Sequence, residues 1–285
     1  MKNIGIDIGG YKIFSALVDE KGKIHKSIKI NTPKNREKLL HRIEDIVFAL
    51  SIDEKIKGIG IGIPGVLDEK KEKMIFSPNL IFLNNWNVKK AFEKKIKKKI
   101  VLENDANCFA FAVSKLEAKK TQNFGVLTLG TGIGCGLILN GFLFTGKARA
   151  SEAGHSKILY NKKIVCFEDL IGTKGIIKRA KKVGIKIKNV FELEEKAKKS
   201  TKARKIIKET GNLTGLLVAN LFDILDLEKI FLTGGLINLG PLLVENIKKT
   251  TQKNSFIKTK KEVIVSKLGE EAGAIGAALL SIKKS

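Results

Sequence analysis

Two stretches of this chain, "IGIDIGGYKIFSALV" (Ile4 to Val18) and "FGVLTLGTGIGCGLI" (Phe124 to Ile138), share one pattern: an apolar strand, a glycine turn and a second apolar strand. A pattern that returns in this way predicts two similar halves facing each other, and 285 residues suffice for one large or two mid-sized domains. Glycine at such a turn lets backbone N–H groups face outward as an anion cradle, because no Cβ obstructs close approach. Two cradles in two halves suit one polyphosphate gripped from both sides. A carboxylate beside a cradle cannot bind phosphate directly and needs a metal ion between, for which Mg²⁺ is the usual bridge. Asp7, at the tip of the first strand, therefore reads as a metal-side residue, with Gly9 and Gly10 opening the way to the phosphates. The competing reading of Asp7 is a plain hairpin turn.

The remaining pattern is alternating α and β. Strands are predicted at Ile4 to Asp7, Lys12 to Asp19 and Lys23 to Ile30, then a helix from Arg36 to Leu50 whose Leu39, Leu40, Ile43, Ile46 and Val47 share a face. A buried strand in "IKGIGIGIPG", a helix at Val88 to Ile96, a strand at Ile100 to Leu102 and a helix from Ala106 to Lys115 complete the first half. The second half adds a long helix at Ile206 to Leu225, strands at Lys229 to Leu232 and Val263 to Val265, a helix after Gly235 and a last helix at Ala272 to Ile282.

Composition narrows the function. The net charge of +25 suggests nucleic acid, whose phosphates attract lysine, but the arginines are only Arg36, Arg42, Arg149, Arg179 and Arg204. Runs such as "KKAFEKKIKKK" carry Phe92 and Ile96 at helical spacing, so they read as solvated faces of packed helices, and no nucleic-acid partner is expected. Phe124 to Phe144 is uncharged and long enough for a bilayer crossing. Its glycines at every second position, Gly130, Gly132, Gly134 and Gly136, favour a buried hairpin instead. Cys108, Cys135 and Cys166 are too few and scattered for a disulfide framework, and no secretory signal is apparent. A cytoplasmic address is expected, with no membrane partner.

No G-x-x-x-x-G-K-[ST] occurs, so a P-loop is excluded. "GIGIPG" matches the dinucleotide fingerprint in letters, but Pro64 stands where that fold starts a helix. The strongest chemical cluster is "VLENDANCFAFA", where Glu103, Asn104 and Asp105 fall at a strand-to-helix junction. Asp105 there reads equally as a helix cap. "SEAGHSKI" adds Glu152 and His155. Short acceptors and donors of these types suit the hydroxyls of a sugar ring.

These motifs together, "DIGGYK" at Asp7, "GIPGVLD" at Gly62, "SPNL" followed by Trp86, "ENDAN" at Glu103, the run from Leu129 to His155, "TGGLI" at Thr233 and "GEEAGAIGAALL" at Gly269, resemble the ROK family. The resemblance spans nearly the whole chain in order. It implies an α/β, two-domain, actin/hexokinase-like (ribonuclease H-like) fold with a duplicated βββαβαβα core: a small domain at 1–116, a large one at 117–270, and a C-terminal helix at 271–285 packed back on the small domain. It implies an ATP-dependent sugar kinase, glucokinase-like or N-acetylhexosamine kinase-like, with Asp105 as general base. Gly65, Asn79, Asn104, Glu152, His155 and Glu168 are implied around the sugar. Asp7, Gly9, Gly10, Lys12, Gly130, Thr131, Gly132 and Gly134 are implied around Mg²⁺ and the phosphates, and Gly234 and Gly235 beside the adenosine. A homodimer is a family expectation.

Three departures stand out. Tyr11 replaces the threonine of the family's phosphate turn, with a ring that either crowds the phosphates or points away. The zinc-binding C-x-C-G-x-x-G-C-x-E is reduced to "ILYNKKIVCFEDLIG", in which Cys166 and Glu168 remain; no structural zinc is expected, and packing of Ile158, Leu159, Val165 and Phe167 is expected to order the segment. No helix-turn-helix precedes the first strand, which speaks against the repressor branch. Two further readings stay open: a binding protein that has lost turnover, and a kinase using N-acetylhexosamine or polyphosphate.

Overall fold

The repeat becomes two five-stranded sheets of the same order. A computed structural model describes residues 1–256 and 261–282. Its first half contains β1 (Lys2–Ile8), β2 (Lys12–Asp19), β3 (Ile24–Asn31), α1 (Arg36–Ser51), β4 (Ile56–Ile63), β5 (Val66–Leu67), β6 (Met74–Phe76), α2 (Val88–Ile96), β7 (Val101–Asn104) and α3 (Asp105–Leu116). The second contains β8 (Phe124–Leu129), β9 (Ile133–Leu139), β10 (Phe142–Phe144), β11 (Lys157–Tyr160), β12 (Lys163–Cys166), α4 (Phe167–Ile171), α5 (Thr173–Lys182), α6 (Glu192–Lys199) and α7 (Thr201–Leu225). It ends with β13 (Lys229–Thr233), α8 (Pro241–Asn254), β14 (Glu262–Val265) and α9 (Ala272–Ile282). The sheets run β3-β2-β1-β4-β7 and β10-β9-β8-β13-β14. In each, the first strand pairs in parallel with the central crossover strand, β1 with β4 and β8 with β13. The duplicated βββαβαβα order is thus present, as the resemblance implies.

Strand alternation decides what each face of the first sheet meets. Ile4, Ile6 and Ile8 of β1 and Ile59, Ile61 and Ile63 of β4 join one core with Leu39, Ile43, Val47 and Leu50 of α1 and Val88 and Phe92 of α2. The alternate positions carry Gly5 and Gly60 and meet α9. A Cβ on Gly5 would lie 1.8 Å from the Ala274 carbonyl oxygen, and one on Gly60 1.8 Å from that of Ala277. α9 in turn meets α3 at Gly276, where a Cβ would lie 1.7 Å from the Cys108 oxygen. Sheet and helices touch backbone to backbone, and only glycine fits there.

The chain groups into two compact units, one of residues 1–120, 136–151 and 267 onward, the other of 121–135 and 152–266. Residues 136–151, expected within 117–270, fall with the first unit. Gly136 lets β9 approach α3 closely: a Cβ there would lie 2.5 Å from the Ala106 oxygen. Of the expected C-terminal helix, 283–285 lie outside the described residues.

Several boundaries differ from the sequence reading for local reasons. α7 begins at Thr201, not Ile206, because the Ser200 hydroxyl caps it by accepting from the Ala203 N–H at 3.3 Å. α3 is capped by Asn104, whose Oδ1 accepts from the Asn107 N–H at 3.2 Å, so Asp105 is freed from that role. The uncharged stretch from Phe124 folds as β8, β9 and β10, turning at Asn140 and Gly141 with φ of 52° and 78°. Among the described residues no helix is long and apolar enough to cross a membrane.

The segment with the reduced zinc pattern is a β11–β12 hairpin. Its expected apolar packing is corrected in part: Phe167 is buried, but Leu159 is 72% exposed. The hairpin is held instead by its backbone ladder and by the Tyr160 hydroxyl, which donates to Glu209 Oε1 at 2.6 Å. The Cys166 sulfur accepts from Lys157 Nζ at 2.8 Å. Among the described residues no group of three or more His, Cys, Asp or Glu side chains is placed to hold a metal ion.

The close backbone contacts yield a stability prediction. Gly60→Ala forces β4 from α9 and should lower the unfolding free energy by about 1–3 kcal/mol or more in urea titration. An unchanged midpoint would show that α9 yields without cost.

Candidate active site

The first unit brings together Asp7, Gly9, Gly10, Lys12, Gly65, Asn79, Asn104 and Asp105. Asp7 falls on the same face of β1 as Gly5, so alternation turns its carboxylate toward α9. A Cβ on Gly273, in the first turn of α9, would lie 2.4 Å from Asp7 Oδ2, and one on Gly62 of β4 3.5 Å from Oδ1. Glycine on both neighbours makes room for the carboxylate. Oδ1 is shut off from water and has no hydrogen-bond partner. Burial, and then the charge of Asp105, push Asp7 up to about 8.

Asp105 opens α3. Its Oδ1 accepts from the Ala106 N–H at 2.9 Å. Burial raises its pKa, and the Ala106 N–H works against that rise. A carboxylate raised in this way is a stronger base than an ordinary one. Asn104 Nδ2 donates to the Gly65 oxygen at 3.2 Å, which ties the start of α3 to the turn after β4. Gly65 needs its φ of +121° there, and a Cβ would lie 2.4 Å from the Phe76 oxygen. Asn79 is exposed and lies against Gly10, whose Cβ would stand 3.1 Å from that of Asn79.

The glycine turns work differently from the simple cradle expected. The Gly9 N–H donates to the Lys12 oxygen at 2.8 Å, and the Gly130 N–H to the Gly132 oxygen at 3.0 Å. The first N–H of each turn is thus spent on closing it. The N–H groups of Gly10 and Tyr11, and of Thr131 and Gly132, have no partner among the described residues and remain as donors. Tyr11 is 77% exposed, so its ring is not packed into the fold. Lys12 is exposed at the start of β2.

The second unit brings together Gly130, Thr131, Gly132, Gly134, Glu152, His155, Glu168, Gly234 and Gly235. Glu168 Oε2, on α4, accepts from the Ile133 N–H at 2.7 Å, and a Cβ on Gly132 would lie 2.6 Å from it. Glu152 and His155 are exposed, with Oε2 and Nε2 4.0 Å apart. Gly154 between them packs on Ile133, the residue after the glycine turn. Gly134 lies in β9. Gly234 has φ +94° and sits over Leu129, where any Cβ would meet backbone at 2.4 Å.

Three nearby residues were not among the assigned site residues. Thr173, at the start of α5, donates its N–H and hydroxyl to the Gly130 oxygen at 3.1 and 3.0 Å. The half-exposed ring of Phe191 lies 3.4 Å from where a Gly235 Cβ would stand. Asn107 Nδ2 donates to buried Glu103 at 3.0 Å. Asn107 was visible in "ENDAN"; the other two stand in segments without a motif.

The chain is similar to known proteins over nearly its whole length. The chain is 30% identical to a glucokinase of Thermotoga maritima over 98% of this chain and 96% of that one. It is 27% identical to an N-acetyl-D-glucosamine kinase of Photobacterium profundum, over 98% and 99%. A ROK family glucokinase from Streptomyces griseus, solved with glucose and AMPPNP, superposes with a TM-score of 0.84 at 27% identity, covering 99% of this chain and 100% of that one. The profile of the ROK family matches residues 3–284, and the chain belongs to that family.

Proposed function

We propose that this sugar kinase transfers the γ-phosphate of ATP to a hexose hydroxyl, the 6-hydroxyl of glucose or a close relative, with Asp105 as general base. The observation that carries this reading is Asp105 itself: a carboxylate raised by burial, freed of capping duty by Asn104, at the junction tied to Gly65. A protein that only binds sugar has no need of such a base. Glucose and N-acetylglucosamine kinases among its relatives support the sugar class, and the AMPPNP bound to the Streptomyces griseus glucokinase supports the nucleotide.

Asp105 takes the proton of the attacking hydroxyl as the bond to phosphorus forms. Asn104, Gly65, Asn79, Glu152, His155 and Glu168 are assigned to sugar hydroxyls. Gly9, Gly10, Lys12, Gly130, Thr131, Gly132 and Gly134 are assigned to the phosphates, and Gly234 and Gly235 to the adenosine, with the Phe191 ring beside them. The donor set at Asp7 fits a divalent cation: a buried carboxylate oxygen without a hydrogen-bond partner, facing the charge of a second carboxylate. Mg²⁺ held there supplies positive charge that neutralises the phosphates.

ADP release with MgATP against a panel of hexoses and N-acetylhexosamines tests the reading, with polyphosphate as an alternative donor. Asp105→Asn should lower kcat by about 10² to 10⁴ while sugar binding persists in calorimetry. Undiminished turnover would remove Asp105 from the mechanism, and binding without turnover in the parent protein would make it a binding protein.

Asp7 predicts a pH dependence of stability. Its carboxyl is raised from 3.8 to about 8, so the folded state keeps a proton that the unfolded chain releases. This contribution to stability is complete below about pH 4 and is lost as pH rises through about 8. Without divalent cation, the Tm should fall more steeply over this interval than that of Asp7→Asn, and Mg²⁺ should recover it in the parent only. Parallel pH profiles, or a Mg²⁺ response retained by Asp7→Asn, would refute the assignment.

A further inference from the structure

Lys71 stands in a backbone conformation that suits glycine, with φ +54°. It lies in the loop between β5 and β6, which is closed on itself. The Lys71 N–H donates to the Asp68 oxygen at 2.9 Å, and the Asp68 carboxylate accepts from the N–H groups of Glu72 and Lys73 at 2.7 and 2.9 Å. That loop aims the Lys71 ammonium at Glu103, and the two form an ion pair with side-chain exposures of 21% and 8%. Nothing in the loop's own hydrogen bonding calls for lysine at this position, since any residue supplies the N–H and glycine adopts the φ at less cost.

Glu103 is a poor place for an uncompensated charge. It is the third carboxylate around Cys108, whose thiol is raised by burial and by the charges of Glu103, Asp7 and Asp105, with Lys71 acting in the opposite sense. Its oxygens are divided between two tasks. Oε2 receives the Lys71 ammonium, while Oε1 accepts from the Asn104 N–H and from Asn107 Nδ2, both at 3.0 Å. Glu103 thus holds the backbone at Asn104 and the first turn of α3, and Asp105 stands between those two attachments. Asn104 extends the connection to the Gly65 turn.

We propose that Lys71 is a positioning residue for phosphoryl transfer: by anchoring Glu103 from the loop between β5 and β6, it sets the β7–α3 junction that presents Asn104 and Asp105. This rests on the assignment of those two residues to sugar and base. A misplacement on the scale of an ångström is enough to cost about 10²-fold in rate, so an anchor one residue from the reacting groups has leverage. A plain structural ion pair would instead lower stability and leave the kinetics of the folded protein alone.

The test compares Lys71→Met, Lys71→Arg and the double variant Lys71→Met/Glu103→Gln with the parent, for sugar and MgATP kinetics and for amide hydrogen exchange across residues 101–108. Lys71→Met should lower kcat/KM for the sugar by about 10-fold or more, with the KM for MgATP held within about twofold. Lys71→Arg should recover most of the loss, and the double variant should be less impaired than Lys71→Met, because neutral Gln keeps the Asn104 and Asn107 contacts without a stranded charge. Exchange at Asn104 and Asn107 should quicken in Lys71→Met and return in the double variant. That readout needs no turnover, so it decides on Lys71 even if every sugar fails as substrate, a result that would count against the kinase assignment alone. Parent-like kinetics and exchange in a folded Lys71→Met, or losses that simply add in the double variant, would overturn the proposal.

Discussion

The structure of the first unit depends on how closely α9 lies against β1, β4 and α3. Gly5, Gly60 and Gly276 each place backbone where a Cβ would stand under 2 Å from a carbonyl oxygen. Such contact gathers dispersion from backbone atoms alone, and the alanines of α9 add surface without losing rotamer freedom. The alternation of β1 then links packing to chemistry. Gly5 and Asp7 lie two residues apart, so the face that must be small at Gly5 is the face that buries the carboxylate at Asp7. The helix that closes the fold thereby walls in the carboxylate assigned to the cation.

Burying two carboxylates near each other is costly for stability, and both are pushed upward in pKa by it. The protein offsets this unevenly. Asp105 has the Ala106 N–H and the positive end of α3. Asp7 Oδ1 has no protein partner. Glu103, a third carboxylate, is fully engaged by Lys71, Asn104 and Asn107. The carboxylate left with an unsatisfied oxygen is the one proposed for the cation, whereas Glu103 is neutralised within the chain.

Much of this was legible in sequence because glycine, aspartate and alternating isoleucine have few structural uses in combination. The repeated strand-turn-strand foretold two similar halves, which the structure builds as two sheets of one order, and "ENDAN" foretold a strand-to-helix junction. What escaped the sequence was how the turns spend their N–H groups, since hydrogen-bond partners at Lys12 and Gly132 depend on turn geometry and not on residue type. The order of 157–182 escaped it too: the Tyr160 to Glu209 contact spans 49 positions and has no periodic signature. Tyr11 shows the reverse case, a residue prominent in a motif that takes no part in the packing of the fold, because its ring is 77% exposed.

By itself the sequence determined the two-sheet fold, the glycine positions and the identity of the carboxylates at the strand tips, because strand period and backbone sterics are local properties. Tertiary structure alone decided which oxygen is left without a partner, that Asn104 and not Asp105 caps α3, that 136–151 groups with the first unit, and that Lys71 meets Glu103. Each of these depends on groups distant in the chain arriving at one place, and burial, electrostatics and hydrogen bonding act on that distance and not on separation in sequence.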